Sequence, residues 1–379
     1  MGPAVFLFEA LIYSSLATKN LLSQFFDISG YSPFQIGLLM STIPLVSLIS
    51  NPFWFYIGSH KGEKRVFSCV ALASSLLVWP IFLDRGFVAN LILMSAFSFF
   101  FSSVIPIGEA RIMTDIKRWG GRFDHIRLFG TLGFGITALV TGLLVRRSFF
   151  WLFMAMSLSL VLPLLFRGKE TPKESRTTGK KEDESRQRTG NLFSFWLMTI
   201  GMFLGISLNS FHNSFIAVLT RERGFDVSVV GIVFMIAAFS EIPFLLYANK
   251  IIALLGHLRV LQIGMFAIAI RVLLVSFSRG VLSLFMIEML HGFTYILMYY
   301  SLFDYIHFSL PKRFLVFGQS VFWVVRSGFA YVLGSIVGGL IIESVSTIIA
   351  FRLVGIVGIA FALIVLVFGE MNKQRTKVS

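Results

Sequence analysis

The chain has 379 residues, 56% of them apolar and only 14% charged, with a mean hydropathy of +0.82, which excludes a soluble globular domain and points to a polytopic membrane protein. Its net charge of +14 could suggest a nucleic-acid partner, but the basic residues are dispersed over short loops and not collected on one domain. A single cysteine, Cys69, excludes an intramolecular disulfide and any cysteine-cluster metal site.

Apolar runs near the length of a membrane span, about 20 residues, are centred near Ile12, Leu45, Leu76, Phe97, Ala138 and Ser157. A second set follows near Leu204, Ala237, Phe266, Leu290, Val332 and Ile359. The expected fold is therefore all-α, with about twelve transmembrane helices. No segment alternates with period two as a barrel strand would. The first run lacks the basic n-region and small-residue cleavage site of a signal peptide and reads as the first span. Within it Glu9, Tyr13, Asn20 and Gln24 fall near one stripe, and Asn209, His212 and Asn213 cluster in the seventh run. Such stripes face a bundle interior and line a cavity. Arg326, in the eleventh run, is a further buried cation whose partner the sequence does not name.

Between the sixth and seventh runs lies RGKETPKESRTTGKKEDESRQRTG, Arg167 to Gly190, which mixes both charges with Ser, Thr, Gly and Pro and has no hydrophobic residue. It reads as a linker. The expected organisation is an N-terminal bundle over 1–166, a cytoplasmic linker over 167–191 and a C-terminal bundle over 192–379, as in a duplicated transporter with two parallel halves. IGSHKGEKR, Ile57 to Arg65, and NKIIALLGHLR, Asn249 to Arg259, occupy matching places in the two halves. They are a weak internal echo. With the N-terminus inside, one set of loops holds Lys61, Lys64 and Arg65, then Lys117, Arg118 and Arg122, the linker, Lys250 and Arg259, Lys312 and Arg313, and the tail. The opposite loops hold only Arg85, Arg146, Arg147, Arg221, Arg223 and Arg279. That is the positive-inside pattern, with both termini cytoplasmic.

Four ionisable residues interrupt stretches that otherwise read as lipid-grade helix: Glu241, Arg271, Glu288 and His291. A charge at mid-bilayer costs about 2.5 to 3.5 kcal/mol even on insertion scales, so such residues are paired or face a solute or proton path. Pro243 lies two residues after Glu241, where it frees backbone carbonyls. Glu241 is expected to load and release a proton or to pair with Arg271 for stability. Glu288 and His291, three residues apart, share a helix face and are expected to exchange a hydrogen bond as a minimal relay. Glu109 and Arg127 flank one short loop, end adjacent antiparallel helices and can pair, as a staple or gate or in direct contact with substrate. Phe134 lies seven residues past Arg127, on the same face. Small-residue segments such as GTLGFG at 130–135 serve helix packing, because no strand precedes them.

The turn GSHKGEKR, Gly58 to Arg65, resembles a worn form of the G-x-x-x-D-R-x-G-x-[KR] loop of the major facilitator superfamily, with Ser59 and His60 where Asp and Arg are expected. The segment PIGEARIMTDIKRWGGRFDHIRLFGTLGF, Pro106 to Phe134, is similar to the branch that holds lactose-type sugar/proton symporters and phenylpropionate permease-like proteins. SEIPF at 240–244, Arg271 and LHG at 290–292 continue that resemblance. It implies two pseudo-symmetric six-helix bundles, substrate contact by Glu109, Arg127, Phe134 and Arg271, and proton coupling by Glu241, Glu288 and His291. The sequence departs from the sugar symporters at Thr294, which stands where they place the proton-site carboxylate.

The function expected is secondary active transport of a small organic solute, an aromatic acid, sugar or nucleoside, by proton symport and without a cofactor. A proton-antiport exporter of drugs or sugars, and a lipid flippase or membrane sensor on the same fold, stay open. The expected partners are solute, protons and lipid, with no nucleic acid and no enzymatic activity. The chain is expected to work as a monomer in the plasma (inner) membrane.

Overall fold

The computed structural model describes residues 4–119, 123–166 and 190–378. The linker and the basic loop residue Arg122 lie outside the described residues, apart from the linker's last two positions. Among those described there is no strand. Ten helices are long and apolar enough to span a membrane, and two shorter apolar ones bring the number to twelve. In chain order the first four are α1 (Ala4–Ile28), α2 (Pro33–Lys61), α3 (Glu63–Phe82) and α4 (Phe87–Phe101 continued by Val104–Trp119). α5 (Phe123–Val145) and α6 (Phe150–Phe166) complete the first six. The second six begin with α7 (Leu192–Glu222), α8 (Val229–Leu255) and α9 (His257–Val275). They end with α10 (Val281–Ser309), α11 (Leu315–Val324 continued through Ala330–Ser344) and α12 (Thr347–Val378). Each contains the centre expected for it.

The helix ends follow local chemistry. α2 opens on a capping box: the Ser32 side chain accepts from the Gln35 amide at 3.3 Å and the Gln35 side chain accepts from the Ser32 amide at 3.0 Å, with Pro33 at the first helical position. Asn191 caps α7 by accepting from the Ser194 amide at 2.7 Å. Gly62 joins α2 to α3 at φ +95°, and Gly256 joins α8 to α9 at φ +83°. Their amides bond back to the Gly58 and Ile252 carbonyls. A side chain at either position would strain this left-handed backbone. The two loops that echo one another in sequence therefore turn the chain by the same device.

The core is apolar as in a soluble protein, but the outer surface is apolar as well. Ile49, Leu76, Leu165, Leu254 and Leu282 are more than two-thirds exposed and form lipid-facing surface. Serine and small residues line helix contacts, as expected where lipid supplies no hydrophobic drive between helices. α1 packs on α5 and α6, and α7 on α9, α11 and α12. Across the two sets of six, α2 packs on α11 and α5 on α8.

The polar contacts across this divide gather where α1, α5, α7 and α11 end and α2 and α8 begin. Arg221 grips Asp27 through Nε at 2.6 Å and Nη2 at 2.9 Å. Gln24 donates to the Val227 carbonyl at 2.7 Å, and the Phe34 amide donates to Glu343 at 3.1 Å. Beside them Gly142 and Gly231 meet backbone to backbone, so that a Cβ on Gly231 would lie 2.4 Å from the Ala138 carbonyl oxygen and 2.6 Å from the Gly142 Cα. Arg146 and Asp226 add an exposed pair at 3.2 Å. The Ser228 hydroxyl and amide both donate to Asp226 and hold its carboxyl below the usual carboxylate range. A depressed value means the contact is fully present above the usual range and fades as pH falls through the lowered one. Solvent accessibility at this end is expected to be unchanged between pH 7 and 5 and to rise only in stronger acid, as read by hydrogen exchange at the α7–α8 turn.

Candidate functional site

A cavity of about 310 Å³ lies between the two sets of helices, within the size range of small-molecule sites. Tyr13, Lys19, Asn20, Arg127 and Phe134 form part of its wall on the N-terminal side. Asn209, Glu241, His291, Tyr295 and Arg326 form part of the other. Of the residues expected to bind solute or line a cavity, Tyr13, Asn20, Asn209, Arg127, Phe134 and Arg326 are thus in place. Glu9, His212 and Arg271 are not on the wall but fully buried behind it. Glu109 also lies off the wall, held by the Tyr13 hydroxyl.

The N-terminal cluster is organised by Tyr13. Its hydroxyl donates to Glu109, and the Arg127 guanidinium lies 3.9 Å from the centre of its ring. Among the described residues no direct ion pair joins Glu109 to Arg127. The expected staple is mediated by an aromatic ring that bonds one partner with its edge and the other with its face. Glu9 sits one turn before Tyr13, and neither of its carboxyl oxygens has a hydrogen-bond partner. Lys19 lies inside the first span, lines the cavity and donates to the Asn20 side chain at 3.1 Å. Sequence reasoning missed it, because it resembles the basic residue that closes a span.

The C-terminal cluster is a chain of five groups on three helices plus α10. Arg271 is its hub. Nε and Nη2 donate to one Glu288 oxygen at 3.1 and 2.5 Å, Nη1 lies 2.7 Å from His291 Nδ1, and Nη2 lies 3.3 Å from His212 Nδ1. His212 Nε2 bonds the other Glu288 oxygen at 2.9 Å, and His291 Nε2 bonds Glu241 at 3.1 Å. Arg271, Glu288 and His212 are completely buried, whereas His291 and Glu241 reach the cavity.

A guanidinium carries only donors, so both Nδ1 atoms must accept from it and both histidines must carry their proton on Nε2. Each Nε2–H is then directed at a carboxylate, and the Asn213 side chain, 3.3 Å from His212 Nδ1, must turn its amide nitrogen toward that atom. A second proton on His291 would set an N–H against the Arg271 N–H at 2.7 Å. Protonation of His291 and its contact with Arg271 are mutually exclusive.

Two expectations are corrected here. Glu241 pairs with His291 and not with Arg271. Glu288 and His291 do not bond one another directly; each bonds Arg271 instead. Arg271 stands between them, with Nε and Nη2 on Glu288 and Nη1 on His291, where α10 runs as a 3₁₀ turn over Met289–Phe293 before resuming at Tyr295. Thr294, buried at the end of that turn, donates to the His291 carbonyl at 2.7 Å and lies 3.1 Å from its Nδ1.

Arg326, left without a partner by the sequence, donates from Nε to the Tyr295 hydroxyl at 2.8 Å. Its guanidinium stands 4.9 Å from the Tyr299 ring and 5.0 Å from that of Trp323. It is carried on a π turn, Val325–Phe329, inside α11. Such turns concentrate at functional sites.

The architecture of paired six-helix sets is matched by comparison. A model of the MFS_1 like family covers residues 6–353. The chain belongs to this family, within the major facilitator superfamily. The MFS_1 like chain is 24% identical over 347 residues to the uncharacterized transporter YwbF of Bacillus subtilis (strain 168), covering 90% of this chain and 86% of that one. It is 25% identical over 316 residues to the maltose permease of Geobacillus stearothermophilus, covering 81% and 79%. The crystal structure of the nucleoside transporter NupG superposes with a TM-score of 0.78 at 17% identity, over 96% of this chain and 98% of that one. That likeness establishes the fold, two pseudo-symmetric six-helix bundles, for this MFS_1 like chain.

Proposed function

We propose that the protein is a proton-coupled secondary transporter that takes up a small organic solute by symport, with the N-terminal and C-terminal halves rocking about the cavity. The observation that carries this reading is the continuous chain from Glu241 at the cavity wall through His291 to Arg271, Glu288 and His212 in the core. A proton arriving from the cavity at Glu241 removes the negative charge that strengthens its bond from His291 Nε2; a proton arriving at His291 expels Arg271. Either event reorganises the bonds among α7, α8, α9 and α10, which is what coupling of a proton to helix movement requires. Solute contacts are assigned to Arg127, Phe134 and the polar wall, with Arg271 and Glu109 acting from behind it. No cofactor is needed, since the proton gradient supplies the work. The positive-inside distribution supports cytoplasmic termini in a plasma (inner) membrane.

Proteoliposomes with an imposed pH gradient test the proposal. Substrate should accumulate against its own gradient, and accumulation should collapse on adding a protonophore. For Glu241→Gln, accumulation is expected to vanish while exchange of labelled for unlabelled substrate persists. Equal accumulation with and without the gradient, unchanged in Glu241→Gln, would show that this reading of Glu241 is wrong. A gradient of the same sign that drives efflux would assign the protein to export.

A further inference from the structure

Resting on the transporter reading above, we propose that the solute is an organic monocarboxylate with an apolar, preferably aromatic, body, and that Arg326 receives its carboxylate. Arg326 is held by three groups that leave its working edge free. Nε is occupied by the Tyr295 hydroxyl, and the faces of the guanidinium are backed by Tyr299 and Trp323. Neither Nη1 nor Nη2 bonds a described residue, and no carboxylate among the described residues pairs with it. What remains open to the cavity is the planar pair of N–H edges that matches a carboxylate in two parallel hydrogen bonds.

Charge balance on the cavity wall leads to the same ligand. Its charged side chains are Lys19, Arg127 and Arg326 against Glu241 alone. Glu241 is engaged by His291, and Arg127 is within electrostatic reach of Glu109 and Glu9. Lys19 is bonded to the neutral Asn20, and Arg326, bonded to a neutral phenol, shares Glu109 with Arg127, so neither cation has a counter-charge of its own. Unpaired cations inside a membrane are costly, and a bound carboxylate supplies the missing charge. Phe134, Tyr295 and Tyr331 add aromatic wall to the same cavity, which suits an apolar body.

The experiment uses the purified full-length chain in detergent and reads thermal stabilisation by 3-phenylpropionate, its uncharged amide and phenyl phosphate at one pH, with benzoate and octanoate as further acids. The acid should stabilise saturably and the amide should not. Arg326→Gln should weaken binding of the acid about tenfold or more, Arg326→Lys less, and Tyr295→Phe by an intermediate factor, because it frees the fork from its hold without removing it. Should Arg326→Gln fail to fold, the acid-to-amide ratio in the Arg326→Lys and Tyr295→Phe proteins decides. Equal stabilisation by acid and amide, wild-type affinity in Arg326→Gln, or tighter binding of phenyl phosphate would each overturn the assignment. Stabilisation by maltose or uridine with none by any acid would overturn it while leaving the transporter reading intact. Failure of every probe to bind, together with no uptake in proteoliposomes, would overturn both.

Discussion

Glu288→Ala is expected to destabilise the protein by about 3 to 5 kcal/mol, the range for removing one partner of a buried pair. Among the described residues Glu288 is the only carboxylate bonded to Arg271, and it also accepts from His212, so its loss strands two donors in a fully buried site. Thermal unfolding in detergent should show a large drop in midpoint, and Glu288→Gln, which keeps an acceptor, a smaller one. The double substitution Arg271→Met, Glu288→Leu should recover much of the stability, since apolar groups of similar size often replace buried pairs without loss. It should nevertheless remain inactive in proton-driven uptake. An unchanged midpoint in Glu288→Ala would mean that the Arg271 network does not hold the C-terminal half together.

Gly231→Leu should carry the second large effect. The Gly142–Gly231 contact leaves no room for a side chain, and overpacking a close contact costs about 1 to 3 kcal/mol. At that cost the population shifts about 5- to 150-fold away from the arrangement in which this end of the molecule is closed. With Cys69→Ser as background and Asn20→Cys as a reporter in the cavity, labelling by an impermeant maleimide should accelerate accordingly. Gly231→Ala should produce a smaller acceleration. Arg221→Ala should act in the same direction, because it takes both donors from the Asp27 carboxylate, which is buried although Arg221 itself is half exposed. Labelling at the wild-type rate in Gly231→Leu would exclude this seam as a closing element.

The helices were legible because a span of lipid imposes a length and a polarity that leave little choice, and all twelve centres fall inside helices. The buried charges were legible for the opposite reason: Arg271, Glu288, His291 and Glu241 stand out against residues that belong in lipid. Their pairing was not. Spacing along one helix says which residues share a face, and not that a guanidinium from α9 stands between Glu288 and His291 or that α8 brings Glu241 to the imidazole. Tyr13, Tyr295 and Tyr299 carry no charge and raise no cost in a hydrophobic stretch, so nothing marked them as the groups that position Arg127 and Arg326. Lys19 lies beside Asn20 inside the first run and carries the same charge as the basic residues that close spans, so its place on the cavity wall was not legible.

The 3₁₀ turn of α10 gives that helix a stored length. A 3₁₀ residue rises about 2.0 Å where an α residue rises about 1.5 Å, so rewinding Met289–Phe293 would shorten the helix by about 2.5 Å. It would also swing positions three apart from eclipsed to about 60° out of line. Glu288 and His291 are three apart, and in the present winding both point at one guanidinium. Losing the His291–Arg271 bond would remove a restraint on that rewinding, so that a single proton could act as the trigger of a mechanical stroke along α10.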